Sequence, residues 1–211
     1  MNRRALAAGL LTVGALALPA CAAGKPTVSH SGQSPHAAAT ASPPTASAVP
    51  NSVRVGALTI EFDMPLPADP VQAAIMGDFR RAQVLWNKSQ SAHRVLAAAK
   101  GYLTGKALSD LKRSIRFIKS RDDIPVGIDR LFKTRITIAT DAIAAVSTCD
   151  DASKFFQKNL RTGRFDRQAM PTAKTDHIFE RWLMVRRSGH WAISNVSATV
   201  LPQAPARQCQ P

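Results

Sequence analysis

The residues best placed to do chemistry lie in the last apolar stretch of the chain, His177-Ile178-Phe179-Glu180-Arg181-Trp182-Leu183-Met184. Strand alternation puts Ile178, Glu180, Trp182 and Met184 on one face and Phe179, Arg181, Leu183 and Val185 on the other, without saying which face is inside. A buried Glu180 with His177 or Asp176 beside it could act as a general base if its pKa were raised. The expected reading is plainer: a glutamate and an arginine alternating in a final strand mark solvent exposure or a cross-strand pair. Trp182 and Trp191 can pack together across a hairpin as core aromatics, and Trp86 and Tyr102 complete the candidate pocket or core set.

Nothing else converges on a reaction, so no catalytic residue, metal or cofactor is assigned. The chain holds no His-x-x-x-His, no paired-cysteine zinc signature and no phosphate-binding glycine loop. Asp122-Asp123 and Asp150-Asp151 are adjacent acids whose side chains diverge, without the spaced oxygen ligands of a calcium loop. Asp150 and Asp151 are expected to cap a turn after Cys149 through backbone amides, and Thr162-Gly163 to turn a hairpin.

The elements that must position these residues follow from periodicity. Asp69 can cap a helix and Pro70 suits its first position. Val71, Ile75, Phe79, Ala82, Leu85 and Trp86 then recur at spacings of three and four, with Asp78, Arg80 and Arg81 between them, which predicts a long amphipathic helix packed by one face. Val95, Leu96, Ala99, Tyr102 and Leu103 predict a shorter helix ending near Gly105, and Leu108, Leu111, Ile115 and Ile118 a third. Val53 to Phe62 reads as an edge strand or an extended lead-in. From about Ile124 the period becomes strand-like: Ile136 and Ile138, then Ala144, Val146 and Thr148, then Phe155 to Asn159, and finally a hairpin of Ile178 to Arg187 and His190 to Val200 about Ser188-Gly189. Helices followed by an antiparallel, curled sheet make the fold class α+β.

The N-terminus addresses the chain. Asn2-Arg3-Arg4 precedes an apolar run from Ala5 to Ala17, and Leu18-Pro19-Ala20-Cys21 closes it with small residues before a cysteine. The run is shorter than the roughly 20 residues that cross a bilayer. It resembles a bacterial lipoprotein signal, which implies a leader over 1–21 and lipidation at Cys21. The expected location is the extracytoplasmic face of the cell membrane, with the lipid as membrane partner. Arg3-Arg4 leaves the choice between the general secretory and twin-arginine routes open. Residues 22–51, rich in Ala, Ser, Thr and Pro, are expected to form a disordered tether, whose mean reach is about 30 Å. Residues 52–201 form one domain, and 202–211 a polar tail.

From Ser52 onward 25 Lys and Arg face 14 Asp and Glu, a surplus of +11. Outside a cell the counter-ions for such a surplus are anionic lipid headgroups and acidic wall polymers rather than nucleic acid. No basic run is longer than a pair, which also fits a dispersed solvated surface. With Cys21 lipidated, Cys149 and Cys209 remain as an even pair in a setting where disulfides persist, and a bond between them would tie the tail back over the sheet.

This order of elements, with Tyr102-Leu103-Thr104-Gly105-Lys106-Ala107-Leu108, Cys149-Asp150-Asp151-Ala152-Ser153, Arg161-Thr162-Gly163 and Gly189-His190-Trp191, resembles exported actinobacterial lipoproteins that carry a domain of the nuclear transport factor 2-like superfamily, the SnoaL/cystatin-like cone. The resemblance implies three N-terminal helices packed in the concave face of a curved antiparallel sheet, with a pocket at the wide end. That superfamily holds isomerases, dehydratases and cyclases beside non-catalytic binding and scaffolding domains, so it assigns no chemistry. A closed cavity lined by two or more ionisable groups would mark an enzyme of the isomerase or hydratase kind. A cone filled by Trp, Phe, Leu and Ile would mark a module that binds an anionic envelope polymer or a protein partner. The lack of a convergent reactive set favours the second.

Overall fold

The computed structural model describes residues 50–166, 176–200 and 203–210. The leader, the lipidation site Cys21 and the tether up to residue 49 lie outside the described residues, as do Pro202 and Pro211 of the tail.

Seven strands form one curved, open sheet, with helices on its concave face. The chain opens with a hairpin, β1 (Ser52–Val55) and β2 (Leu58–Asp63), turned at Gly56, whose φ of 61° suits a residue without a side chain. The stretch left open between edge strand and lead-in is therefore two strands. Helices α1 (Pro70–Ser91), α2 (Ala99–Tyr102) and α3 (Gly105–Ser120) follow, and then β3 (Asp123–Ala139), β4 (Ile143–Asp151), β5 (Phe155–Asn159), β6 (His177–Arg187) and β7 (His190–Thr199). A short α4 (Ala204–Arg207) closes the described chain.

Strand order is β1-β2-β3-β4-β6-β7, with β5 beside the first half of β3. Every pair is antiparallel except β2 with β3, which corrects the fully antiparallel expectation. The cause is topological: β2 reaches β3 only through the three helices, and such a crossover returns the chain in its original direction. Gly127 stands where β3 takes β2 on one edge and β5 on the other; its φ is 94° and a side chain there would collide with the Lys154 carbonyl.

Asp69 caps α1, its Oδ1 accepting the Gln72 N–H at 2.8 Å, and Pro70 takes the first position. The helix is not packed by one face alone. From Ile75 to Gln90 its buried residues include Asp78, Arg80, Gln83, Asn87 and Gln90, while Val71 in the first turn is exposed. The apolar stripe meets β6 and β7, and a second, polar stripe turns toward β2 and α3. Arg80 Nη1 donates to Asn51 Oδ1 at 3.0 Å, and Gln90 Nε2 to Ser114 Oγ at 2.7 Å. Gly105 does not end the second helix but opens α3 (φ 50°). Leu103 has already left the helical path to pair with Ile193, and the Thr104 N–H donates to the Ile193 carbonyl at 2.8 Å.

Cys149 of β4 and Cys209 form a disulfide, which brings the tail onto the convex face; α4 lies against β6, and Lys133 Nζ donates to the carbonyls of Gln208 and Gln210 at 3.0 and 3.2 Å. The bond closes a loop 60 residues apart in sequence, worth about 4 kcal/mol in the chain-entropy account. Cys209→Ser is expected to lower the unfolding free energy by at most about 4 kcal/mol and to open the tail to limited proteolysis; a variant with wild-type denaturant midpoint and an uncut tail would show that the bond holds nothing.

Candidate functional site

The sequence left the direction of β6 open, and the structure decides it. Ile178, Glu180, Trp182 and Met184 are all at 2% exposure or less, whereas Arg181 and Leu183 are exposed. Glu180 is therefore not at the surface. The register sets it between Thr148 of β4 and Ala198 of β7, on the concave face that α1 covers.

Trp182 is the wedge of that interior. Its ring lies edge-on to Phe79 and to Trp86 of α1, with centroids 5.9 and 6.3 Å apart. Its Nε1 donates to Glu180 Oε2 at 3.2 Å, so the indole that fills the cone also holds the carboxylate. The expected stacking of Trp182 on Trp191 does not form, because the register pairs Trp182 with Val196 and Trp191 with Arg186, four residues further along β6.

The same face carries charge that periodicity did not reveal. Asp129 of β3 and Asp150 of β4 are 1% and 2% exposed. Asp150 is an inward strand residue, and Asp151 caps the turn, its Oδ1 accepting the Ser153 N–H at 3.0 Å. Arg80 lies over the Phe62 ring at 5.4 Å and donates to the Met64 carbonyl; burial pulls its guanidinium below the ordinary arginine range. A signal for this polar interior is present in the sequence: Arg80, Gln83, Asn87 and Gln90 recur at spacings of three and four on α1. It is masked by the stronger apolar stripe beside it.

Tyr102 and Trp191 belong to a second group, where α1, α2 and β7 meet. Asp78 Oδ2 accepts the Trp191 N–H at 2.8 Å. Burial pushes the Asp78 carboxyl up, against that hydrogen bond and the nearby His190 and Arg81, which pull it down. Arg81 Nη1 donates to the Tyr102 hydroxyl at 2.9 Å, and the His190 ring lies 4.8 Å from the Tyr102 ring.

His177 stands apart from both groups, half-buried at the start of β6, with Nε2 3.9 Å from Asp151 Oδ1 and its ring edge-on to Phe132 at 6.3 Å. At Asp151, burial would raise the carboxyl, but hydrogen bonds from Ser153 and the nearby His177 and Arg130 bring it below the usual range. The proposed His177–Glu180 pairing is therefore not made. Among the described residues no group of three or more His, Cys, Asp or Glu could hold a metal ion. An open recess of about 540 Å³ lies at the β1–β2 edge, lined by Asn51, Glu61, Asp63, Met64 and Arg130, with Asp63 and Arg130 ion-paired across it.

The first group is shut away from solvent: Phe79, Trp86, Glu180 and Trp182 are each at 2% exposure or less. Burial also changes the charge balance outside. Asp78, Asp110, Asp123, Asp129, Asp150 and Glu180, six of the 14 acids, are buried, with Arg80 the single buried base among the described residues. Asp110 and Asp123 keep ion pairs with the more exposed Lys106, Arg113 and Arg121, so part of the basic surplus stays engaged with acids beneath it.

No family model and no curated protein matches the sequence. Among solved structures, the chain is similar to an NTF2-like protein with a cystatin-like fold from Novosphingobium aromaticivorans, at 12% identity over 68% of this chain and 98% of that one, TM-score 0.40. It is also similar to a protein with a cystatin-like fold from Caulobacter vibrioides, at 14% identity over 64% and 94%, TM-score 0.35. The intermembrane space region of the chloroplast protein ARC6 gives 11% identity over 64% and 99%, TM-score 0.37. Likenesses this distant assign no chemistry to this chain.

Because the folded Asp78 holds its proton more tightly than the unfolded chain, its contribution to stability is full below the unfolded value of about 3.9 and is lost as pH rises through the folded value. Asp78→Asn keeps an acceptor for the Trp191 N–H and removes that loss. The variant is expected to be more stable than wild type at neutral pH, with the gain vanishing in acid. Urea unfolding at both pH values checks this, and a gain independent of pH would refute the assignment.

Proposed function

We propose that this chain is a lipid-anchored extracytoplasmic protein whose domain is a non-catalytic binding or scaffolding module of the cell envelope, working through its outer surface. The observation that carries the reading is the filled cone: Trp182 sits against Phe79 and Trp86, and its indole holds the Glu180 carboxylate. A substrate could meet that carboxylate only after the wedge had moved. The basic exterior supports attraction to acidic envelope material or to an acidic protein partner, by forces that salt screens. The leader and the tether would hold the domain within a few tens of ångströms of the bilayer.

A second reading, small-molecule binding or an isomerase or hydratase reaction inside the cone, is favoured by one observation. Asn87 is fully buried and its Oδ1 has no hydrogen-bond partner among the described residues, while its Nδ2 donates to the Gln83 carbonyl at 3.1 Å. A ligand donor that reached the interior could use that oxygen.

Two experiments test these readings. In a host that lipidates exported proteins, labelled palmitate is expected in the wild-type chain and absent from Cys21→Ser, which should leave the membrane fraction on a high-salt wash that the lipidated chain withstands; label retained in the variant would end the anchor reading. The mature chain, residues 21–211 with Cys21→Ser, is then offered acidic wall polymer at low and physiological salt and a panel of small apolar ligands. Salt-sensitive polymer retention without small-molecule uptake is expected. Saturable, salt-insensitive uptake that shifts the emission of the three buried tryptophans would overturn the non-catalytic reading in favour of the second.

A further inference from the structure

The described residues cover the convex face of the sheet only in part. Around Cys149 the tail seals it, with Ala206 and Cys209 fully buried. Toward the hairpin tips it carries two rows whose outer members are exposed and whose central residues are buried. In the first, Ser147 of β4 is paired with Arg135 of β3 on one side and Arg181 of β6 on the other. The two arginines are exposed and stand two strand spacings apart, about 10 Å. Ser147 between them is 3% exposed, and its Oγ has no hydrogen-bond partner among the described residues. In the second row, Ile138, Ala145 and Leu183 are paired in register, with Ile138 44% and Leu183 38% exposed. Ile143, 45% exposed, follows beside the tip.

The two tips lie together, since the Arg186 N–H donates to the Ala142 carbonyl at 2.9 Å across the β3–β4 turn. Neither Arg135 nor Arg181 has an ion-pair partner among the described residues. Arg135 touches only the Gln208 side-chain oxygen, at 3.5 Å.

We propose that this half of the convex face docks on an anionic phospholipid bilayer. A lipid phosphate is taken between the exposed Arg135 and Arg181 side chains, over the buried Ser147, and Ile138, Ile143 and Leu183 enter the interfacial zone. Guanidinium forks match phosphate oxygens, and an apolar row edged by arginines is the combination that binds an acidic interface rather than water. A second copy of the chain fits less well, because a self-contact brings like-charged arginines together on both sides. An acidic polymer has no use for the exposed isoleucines. The cations suited to a polymer stand on α3, where Lys112, Arg116 and Lys119 line one exposed stripe. The proposal rests on the anchored, extracytoplasmic reading above, since the tether would keep this face within reach of the headgroups.

The test uses the mature chain with Cys21→Ser, so that no acyl chain contributes, and flotation with vesicles of phosphatidylcholine alone or mixed with phosphatidylglycerol. Binding is expected to the mixed vesicles. Ile138→Ser with Leu183→Ser, and separately Arg135→Gln with Arg181→Gln, should each reduce it by about tenfold. Lys112→Gln with Arg116→Gln and Lys119→Gln should change it by less than about twofold. The altered residues are at the surface, and unchanged thermal unfolding confirms that each variant folds. Equal binding to both vesicle types, undiminished binding by the convex-face variants, or an equal loss in the α3 variant would overturn the proposal. So would a dimer in sedimentation that Ile138→Ser with Leu183→Ser dissociates. If vesicle binding fails while palmitate label and polymer retention persist, only this docking face is wrong; if label and retention fail too, the reading beneath it fails.

Discussion

Most of this fold is arranged around the polar side chains that α1 carries into the interior. A helix with Asp78, Arg80, Gln83, Asn87 and Gln90 inward needs partners for its donors and acceptors, because a buried polar group left alone costs as much as several good contacts provide, and among the described residues Asn87 Oδ1 and Gln90 Oε1 stay without one. The partners come from places remote in sequence: Asn51 and the Met64 carbonyl for Arg80, the Trp191 N–H for Asp78, Ser114 for Gln90. Those pairings fix where the β1–β2 hairpin, the β6–β7 hairpin and α3 lie against the helix. Apolar packing around Trp182 could tolerate a small slide, whereas these hydrogen bonds cannot. They specify one arrangement as much as they stabilise it.

How far the residues announced this depends on how local each signal is. The Asp69-Pro70 start of α1, the β6–β7 hairpin about Ser188-Gly189 and the change of period near Ile124 rest on neighbours within a few positions, and each is where the sequence puts it. The disulfide followed from counting cysteines. What needed the third dimension was which side of an element faced in. Alternation in β6 is symmetric between its two faces, so Glu180 looked like a surface residue until the register with β4 placed it under α1. Arg80 looked like a spacer between apolar positions, because no local rule says that a helix will be covered on nearly every side. Leu103 and Gly105 were misread as one helix end because the pull of Ile193 on Leu103 comes from 90 residues away.

The interior and the exterior also share one account of charge. Burying six acids costs desolvation that the fold offsets with hydrogen bonds and, at Asp110 and Asp123, with ion pairs to Lys106, Arg113 and Arg121 nearer the surface. Interior acids and exterior bases are therefore coupled: part of the basic surplus holds acids beneath it, and the remainder is what an acidic partner can meet.

The tail has a consequence in time rather than in space. A disulfide persists only where thiols are not continually reduced, so the bond that seals the Cys149 row would last only in oxidising surroundings. In a reduced chain, α4, the Lys133 hydrogen bonds and the Arg135–Gln208 contact would oppose release of the tail, and the backbone freedom regained on release favours it. A reduced chain would thus present a convex face from which the tail can lift, and an oxidised one a face crossed by its own C-terminus. Oxidation is the step that separates them.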